Sequence, residues 1–344
     1  MNTELRDALL KQYQVRKSAA EKQAFCAYVK QYCEEKGIPY DAEEEKGGTN
    51  LVLGNPDTAK LIFTAHYDTC AWMPLPNMIL PLNVGLYMAV QTLIVLVMLI
   101  PSALLGFAGW HCIGRQAGAA IFALATLATC LQMLHGKANR HTANDNTSGV
   151  ATILEAAACK PEGVAFVLFD NEETGMKGSR AFAARHRDAA EKTPLVNFDC
   201  VSDGDFLMLA VSKQAHDLPC LEEIRKSFCE AVRKMGKKPL DVGAGRAMYN
   251  SDQQLFPYGM AVAALKKSRT GLYYLDRIHT NRDTKFDERN IDCCANWVGE
   301  LSANAKVEAG TAKKLPNANA HKWIAVGIGF IIGIAARILY SYLK

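Results

Sequence analysis

Apolar residues in this chain follow two patterns: periodic stretches broken by polar residues, and long runs with no charge. Between Asp68 and Arg115 there is no Asp, Glu, Lys or Arg, and residues 84–110 exceed the roughly 20 apolar residues a bilayer span needs. A second uncharged run covers residues 117–134. A third, residues 323–343, carries only Arg337, close enough to its end to snorkel into the headgroups. These runs predict three transmembrane helices, although the Ala-rich middle one also fits a buried core helix.

The rest of the chain shows the periods of an ordinary folded domain. Residues 4–36 carry Leu9, Leu10, Tyr13, Phe25, Tyr28, Val29 and Tyr32 at helical spacing, and Gly37 with Pro39 ends the pattern. Residues 50–54 and 60–65 read as neighbouring strands across a turn, the second ending at His66. Further on, helices are expected at 147–158, 176–186, 221–235 and 287–305, with strands at 163–169, 194–201, 206–211, 260–265 and 271–278. This alternation predicts an α/β three-layer sandwich with a mixed, largely parallel central sheet. The domain is expected to be discontinuous, 1–77 with 136–310, interrupted by a membrane hairpin at 78–135 (spans 84–110 and 117–134). A linker at 311–322 and a last helix at 323–344 follow.

In such sheets ligands collect at the carboxyl ends of strands. Five places there carry metal-type side chains: His66-Tyr67-Asp68, Asn144-Asp145-Asn146, Glu172-Glu173, Asp199 and His279. Each has a plain structural reading too. A lone His at a strand end is usually a hydrogen-bonded core residue, adjacent glutamates usually start a helix, and Asp145 or Asp199 fits a turn or cap. Their joint appearance in one domain favours a site: two histidines and three carboxylates can hold two zinc ions with one carboxylate shared.

The segments HYDT, ANDNTSGVA, FDNEETGMKGS, NFD, SDQQLF and HTNRDT, in that order, resemble the successive motifs of the co-catalytic zinc exopeptidases, which include bacterial secreted aminopeptidases and glutamate carboxypeptidase. The resemblance runs from about Gln12 to Ala305 outside the hydrophobic runs. It implies a di-zinc site at the strand ends, one ion held by His66 and Asp199, the other by Glu173 and His279, with Asp145 bridging. It also implies Glu172 as general base and Asp68 as the carboxylate that steadies His66. The implied reaction removes single residues from peptide ends, most commonly amino ends. Two departures stand out. Gln253 occupies a position that is usually histidine, and the tyrosine that helps hold the oxyanion in some members has only Tyr249, Tyr273 or Tyr274 as a counterpart. Cys200, beside Asp199, reads as a small packed residue or a redox-sensitive neighbour of the metal.

Composition adds limits. A 344-residue chain that is 49% hydrophobic and 22% charged is globular, and a net charge of +4 with no basic stripe gives nucleic acid no footing. Eleven unpatterned cysteines suit a reducing cytosol, and the charged start has no signal peptide. Because both halves of the site must lie on one side, the hairpin crosses twice. Lys137, Arg140, Lys313, Lys314 and Lys322 on that side, against Arg115, Arg337 and Lys344, put the catalytic domain in the cytoplasm. The expected partners are therefore peptides, some held at the membrane, and the lipid bilayer. Two other readings remain: a glutaminyl-cyclase-like acyltransferase working with one zinc, and a catalytically silent scaffold, which the complete ligand set disfavours.

Overall fold

The structure, a computed structural model, describes residues 2–304 and 308–316, so the expected last span and the second half of the linker before it lie outside the described residues. In chain order the elements are α1 (Thr3–Lys11), α2 (Ala19–Lys36), β1 (Tyr40–Glu45), β2 (Gly48–Leu53), β3 (Leu61–His66), α3 (Val84–Cys112) and α4 (Arg115–His135). They continue with α5 (Gly149–Ala158), β4 (Val164–Phe169), α6 (Lys177–Arg185), α7 (Arg187–Lys192), β5 (Leu195–Phe198) and β6 (Phe206–Val211). The chain then forms α8 (Leu221–Lys234), β7 (Lys238–Val242), β8 (Gly259–Lys267), β9 (Tyr273–Tyr274) and α9 (Glu288–Asn304).

The strands form one sheet in the order β1-β2-β4-β3-β5-β8-β6-β7, with β9 on β8. The centre, β4-β3-β5-β8, is parallel. The β1/β2, β2/β4, β6/β8 and β8/β9 pairs are antiparallel. The sheet is thus mixed, with its parallel part confined to the centre and the β6/β7 edge, less parallel than the sequence pattern suggests. The β1–β2 hairpin, antiparallel to β4, and β6, antiparallel to β8, make the difference. The acidic β1 (YDAEEE) and the short β7 (KPLDV) have compositions that strands usually avoid, and pairing rather than propensity creates them. Glu43 of β1 is buried and accepts from His186 Nε2 at 2.7 Å. The strand expected at 271–278 shrinks to Tyr273–Tyr274.

Helices cover both faces, because each central strand is apolar on both sides. On one face Phe63 lies against Phe166, Phe198 and Trp297, whose ring centroids stand 6.0, 5.7 and 6.0 Å away, beneath α1, α2, α5, α8 and α9. On the other, Ile62, Val167 and Leu195 pack with Phe182 and Phe256. Ser18 opens α2 with a capping box closed by Glu21. Arg6 ties α1 to α5 and α9: it is only 2% exposed and bonds Glu155 at 2.6 and 2.7 Å and Asp292 at 2.5 Å.

α3 and α4 pack on each other as a hairpin. An added Cβ at Gly118 would stand 2.7 Å from the Gly106 carbonyl oxygen, so the helices meet at glycine. Both are long and apolar enough to cross a membrane, and only 6% and 11% of their most apolar windows are buried, unlike a core helix. The buried-helix alternative for the middle run therefore loses its basis.

Removing Arg6 leaves the largely enclosed Glu155 and Asp292 without their counter-charge. Arg6→Ala is expected to cost about 3–5 kcal/mol of stability, and Arg6→Lys to recover only part of it because the guanidinium fork is lost. Denaturant melts of the detergent-solubilised chain measure both; a loss below about 1 kcal/mol for Arg6→Ala contradicts the expectation.

Candidate metal centre and active site

His66 is the last residue of β3, Asp199 follows β5, and Glu172 and Glu173 sit in the turn after β4. Three neighbouring strands thus bring their carboxyl ends to one place. Asp145 comes from the irregular stretch before α5, and His279 from the loop after β9, where it adopts positive φ. All five residues expected as ligands, with Glu172 and Asp68, are gathered here.

Asp145 sits between the two imidazoles. Its Oδ1 is 3.3 Å from His66 Nε2 and its Oδ2 is 3.0 Å from His279 Nε2. His66 Nε2 is also 3.7 Å from Asp199 Oδ1, and His279 Nε2 is 3.4 Å from Glu173 Oε2. A tetrahedral zinc with bonds of about 2.0–2.2 Å places its donor atoms roughly 3.3–3.6 Å apart, so these spacings suit two metal positions sharing one carboxylate. Glu173 Oε1 is buried with no hydrogen-bond partner, which a cation would satisfy. Cys70, unremarked in the sequence, brings its Sγ within 4.8 Å of ligand atoms of Glu173 and His279.

The backbone supports are explicit. The Asp68 carboxylate accepts the N–H groups of Glu172 at 2.9 Å and Glu173 at 3.2 Å, fixing the turn that carries both. His66 Nδ1 is nearer the Asp68 carbonyl (3.1 Å) than its carboxylate (3.6 Å), so the Asp68 main chain orients the ring and its side chain clamps the glutamates. Asp283, absent from the sequence expectations, accepts from the N–H of Asn144 (2.8 Å) and of Asp145 (3.0 Å). Asn146 bonds the Phe198 carbonyl and accepts from Cys200, locking the Asp145 loop to the end of β5. Gly149 is required there: a Cβ would lie 2.4 Å from both Asn146 Oδ1 and the Phe198 carbonyl.

The departures noted in sequence find local partners. Gln253 donates to the Tyr249 carbonyl at 2.7 Å and accepts from Asn197 at 3.3 Å, so it braces loops. The buried Tyr249 hydroxyl donates to the Asp199 carbonyl at 3.1 Å. Tyr274 lies by Lys266, in a separate cavity of about 620 Å³ lined with Asp203, Asp205 and Lys285. Cys200 donates to Asp199 Oδ1 at 3.1 Å. Asp252 was missed: its Oδ1 accepts from Ser179 at 2.5 Å and its Oδ2 is buried without a partner.

The electrostatics match a site short of positive charge. Burial pushes Glu172 well above the usual carboxyl range; His66 draws it down, while Asp252, Glu173 and Asp199 drive it up. Burial likewise lifts Glu173 to about 7 against the pull of His279, and Asp283 to about 8 with Asp145 adding repulsion. Burial alone would lower His66, yet bonds to Asp145, Asp199 and Asp68 raise it well above its ordinary value. Arg16 is buried behind the site, donating to the Tyr67 carbonyl at 2.5 Å; burial lowers it to about 10 although Asp68 and Asp145 raise it. Carboxylates in such excess, around two imidazoles, form a donor set that fits divalent zinc.

Since Asp283 holds the loop that presents Asp145, Asp283→Ala should weaken metal retention by about 10- to 100-fold, and Asp283→Asn, with one acceptor left, by less. Competition against a chelator measures this; unchanged retention in Asp283→Ala removes Asp283 from the support.

Comparison with known proteins agrees with this geometry. The model of Peptidase family M28 matches residues 129–300, half of the chain. No curated protein sequence gave a match. Among solved structures, the chain is similar to a Bacteroides thetaiotaomicron glutaminyl cyclase bound to N-acetylhistamine, with TM-score 0.54, 15% identity, and 88% of this chain and 98% of that one covered. It is similar to a Fimbriiglobus ruber glutaminyl cyclase, with TM-score 0.50, 18% identity, and coverage of 87% and 95%. An aminopeptidase from Aneurinibacillus sp. strain AM-1 matches with TM-score 0.39, 16% identity, and coverage of 78% and 50%. At these identities the two cyclase structures speak for the fold alone, and the family match identifies the chain: it belongs to Peptidase family M28.

Proposed function

We propose that this chain is a zinc aminopeptidase seated in a membrane by its α3–α4 hairpin, with two metal ions per chain. M28 members are typically zinc-dependent, and one observation carries the count of two: the Asp145 carboxylate divides its oxygens between His66 and His279, at 3.3 and 3.0 Å. His66, Asp145 and Asp199 would hold one ion, and Asp145, Glu173 and His279 the other. Bound zinc supplies Lewis acidity, which lowers the pKa of water and polarises the scissile carbonyl.

The chain's own residues then do the following. Asp68 fixes the turn so that Glu173 faces His279 while Glu172 stands beside it. The Glu172 carboxylate takes the proton from the water that attacks the carbonyl carbon, and returns it to the leaving amine as the C–N bond breaks. His66 stays oriented because its Nδ1 is engaged by the Asp68 carbonyl.

A second reading, one-zinc cyclisation of N-terminal glutaminyl peptides with loss of ammonia, has one observation in its favour. Asp199 is engaged by the Cys200 thiol and stands 3.7 Å from His66, the widest of the four spacings. Metal content and product separate the two: two ions and a free amino acid for the peptidase, one ion and ammonia for the cyclase.

Glu172→Gln is expected to lower turnover of aminoacyl-anilides by about 10²- to 10⁴-fold with metal content unchanged. Full activity in this variant would falsify the base assignment. Topology has its own check. Lys17, whose Nζ bonds the Leu134 carbonyl, stands with Lys137 and Arg140 at the base of the hairpin, against Arg115 at its tip, a bias that supports a cytoplasmic catalytic domain. An impermeant thiol reagent on intact cells should therefore reach the exposed Cys112 at the tip and spare Cys26 in the domain; the opposite pattern reverses the orientation.

A further inference from the structure

The hairpin does more than interrupt the domain between Asp68 and Asp145. The strand of chain that leaves the site toward α3 is stitched on one side to the segment returning from α4: Trp72 N–H donates to the Lys137 carbonyl, Asn139 N–H donates to the Cys70 carbonyl, and Ala71 pairs with Ala138. On its other side the same segment is stitched to the His279 loop. Met73 N–H donates to the His279 carbonyl at 2.8 Å, and Ile79 and Leu275 exchange hydrogen bonds at 2.9 and 3.0 Å. Within this segment Met73 and Leu80 are buried in the protein, and Trp72, 40% exposed, is its outward-facing aromatic.

These bonds bound a distance. Cys70 Sγ lies within 4.8 Å of ligand atoms of Glu173 and His279, and its carbonyl is 3.1 Å from the N–H of Asn139. Asn139 is four residues past His135, the end of α4, so even a fully extended path keeps the site within about 25 Å of the helix end. At 1.5 Å per residue the 21-residue α4 is about as long as the roughly 30 Å hydrocarbon layer. Its end therefore meets the membrane surface. The apolar outer faces of α3 and α4, with exposed Leu96, Leu104, Phe107 and Leu124, suit lipid as their cover, and Lys17, Lys137 and Arg140 at the base suit its headgroups.

Resting on the aminopeptidase reading above, we infer that the substrates are polypeptides anchored in the same bilayer through their C-terminal side, with the free amino terminus a few residues above the surface. The site is held at that height by the backbone stitches, and a short extended tail spans the gap. Hydrolysis adds water across the first peptide bond: the carbonyl carbon gains the oxygen, the released amine gains the proton, and the anchored remainder stays in the membrane.

The test uses the full chain in phosphatidylcholine–phosphatidylglycerol vesicles, with peptides bearing varied N-terminal residues and a C-terminal dipalmitoyl anchor behind an 8- or a 24-residue polar spacer. The same peptides without lipid serve as the free substrates. Eight extended residues reach about 26–29 Å, enough for the bounded height. Both anchored peptides should be cleaved at least about tenfold faster than the free ones at equal bulk concentration, through effective concentration, and the 8-residue spacer within about threefold of the 24-residue one. Loss of tenfold or more on shortening the spacer means that the site stands far from the surface and overturns the inference, even if the long spacer is cut. Anchored and free peptides cleaved alike also overturn it and leave the aminopeptidase intact. No cleavage of any peptide overturns the aminopeptidase reading itself.

Discussion

Concentrated negative charge, buried at the carboxyl end of a parallel sheet, is the constraint on which the rest of this molecule depends. Asp68, Asp145, Asp199, Asp252 and Asp283 are all buried, and Glu172 and Glu173 stand among them. The cations on hand are His66, His279 and the enclosed Arg16. Burial and the neighbouring acids raise Glu173 to about 7 and Asp283 to about 8, which favours proton retention in the cluster. A divalent cation bound among these carboxylates would offset their repulsion and add to the stability of the fold.

Keeping these charges apart from solvent yet apart from one another requires a rigid backbone, and the acids that do not face the metal positions supply it. Asp68 and Asp283 each spend both carboxylate oxygens on consecutive N–H groups, of Glu172–Glu173 and Asn144–Asp145. An acceptor of two main-chain donors fixes a turn more firmly than packing alone. The polar residues of ANDNTSG do the same work around Asp145, which is why that stretch holds irregular φ and ψ while buried.

How much of this was legible depended on whether the cause was local. The residues expected as ligands stand out because each sits in a distinctive motif, with His66, Glu173 and Asp199 at or just past strand ends, and the parallel core was readable from runs such as LIFTAH and VAFVLF. The edge strand YDAEEE was not, since only pairing with β2 and the buried Glu43–His186 contact makes it a strand. Asp283 lay in plain view in HTNRDT, but its role comes from a contact across 139 positions. Asp252 likewise shares a motif with Gln253, and its burial against Ser179 is made only by the fold. Arg16, in a linker between helices, gave no signal: its value lies in the carbonyls of Tyr13 and Tyr67 and in charges that only the fold brings near.

An insertion of two long apolar helices would ordinarily be read as an address appended to a catalytic domain. Here the connection has a mechanical content, because the same short segment hydrogen-bonds to Lys137 and Asn139, just past α4, and to His279. α3 and α4 meet across Gly106 and Gly118, so the pair is a closely packed unit and not two separate tethers. A closely packed hairpin joined to the site by paired backbone leaves few soft degrees of freedom between the two. Were the hairpin to sit in a bilayer, tilt of its helices in a thicker or thinner membrane would be transmitted to the loop that presents His279, whereas a flexible linker would absorb it. The position of the site relative to the hairpin is therefore a property of the fold.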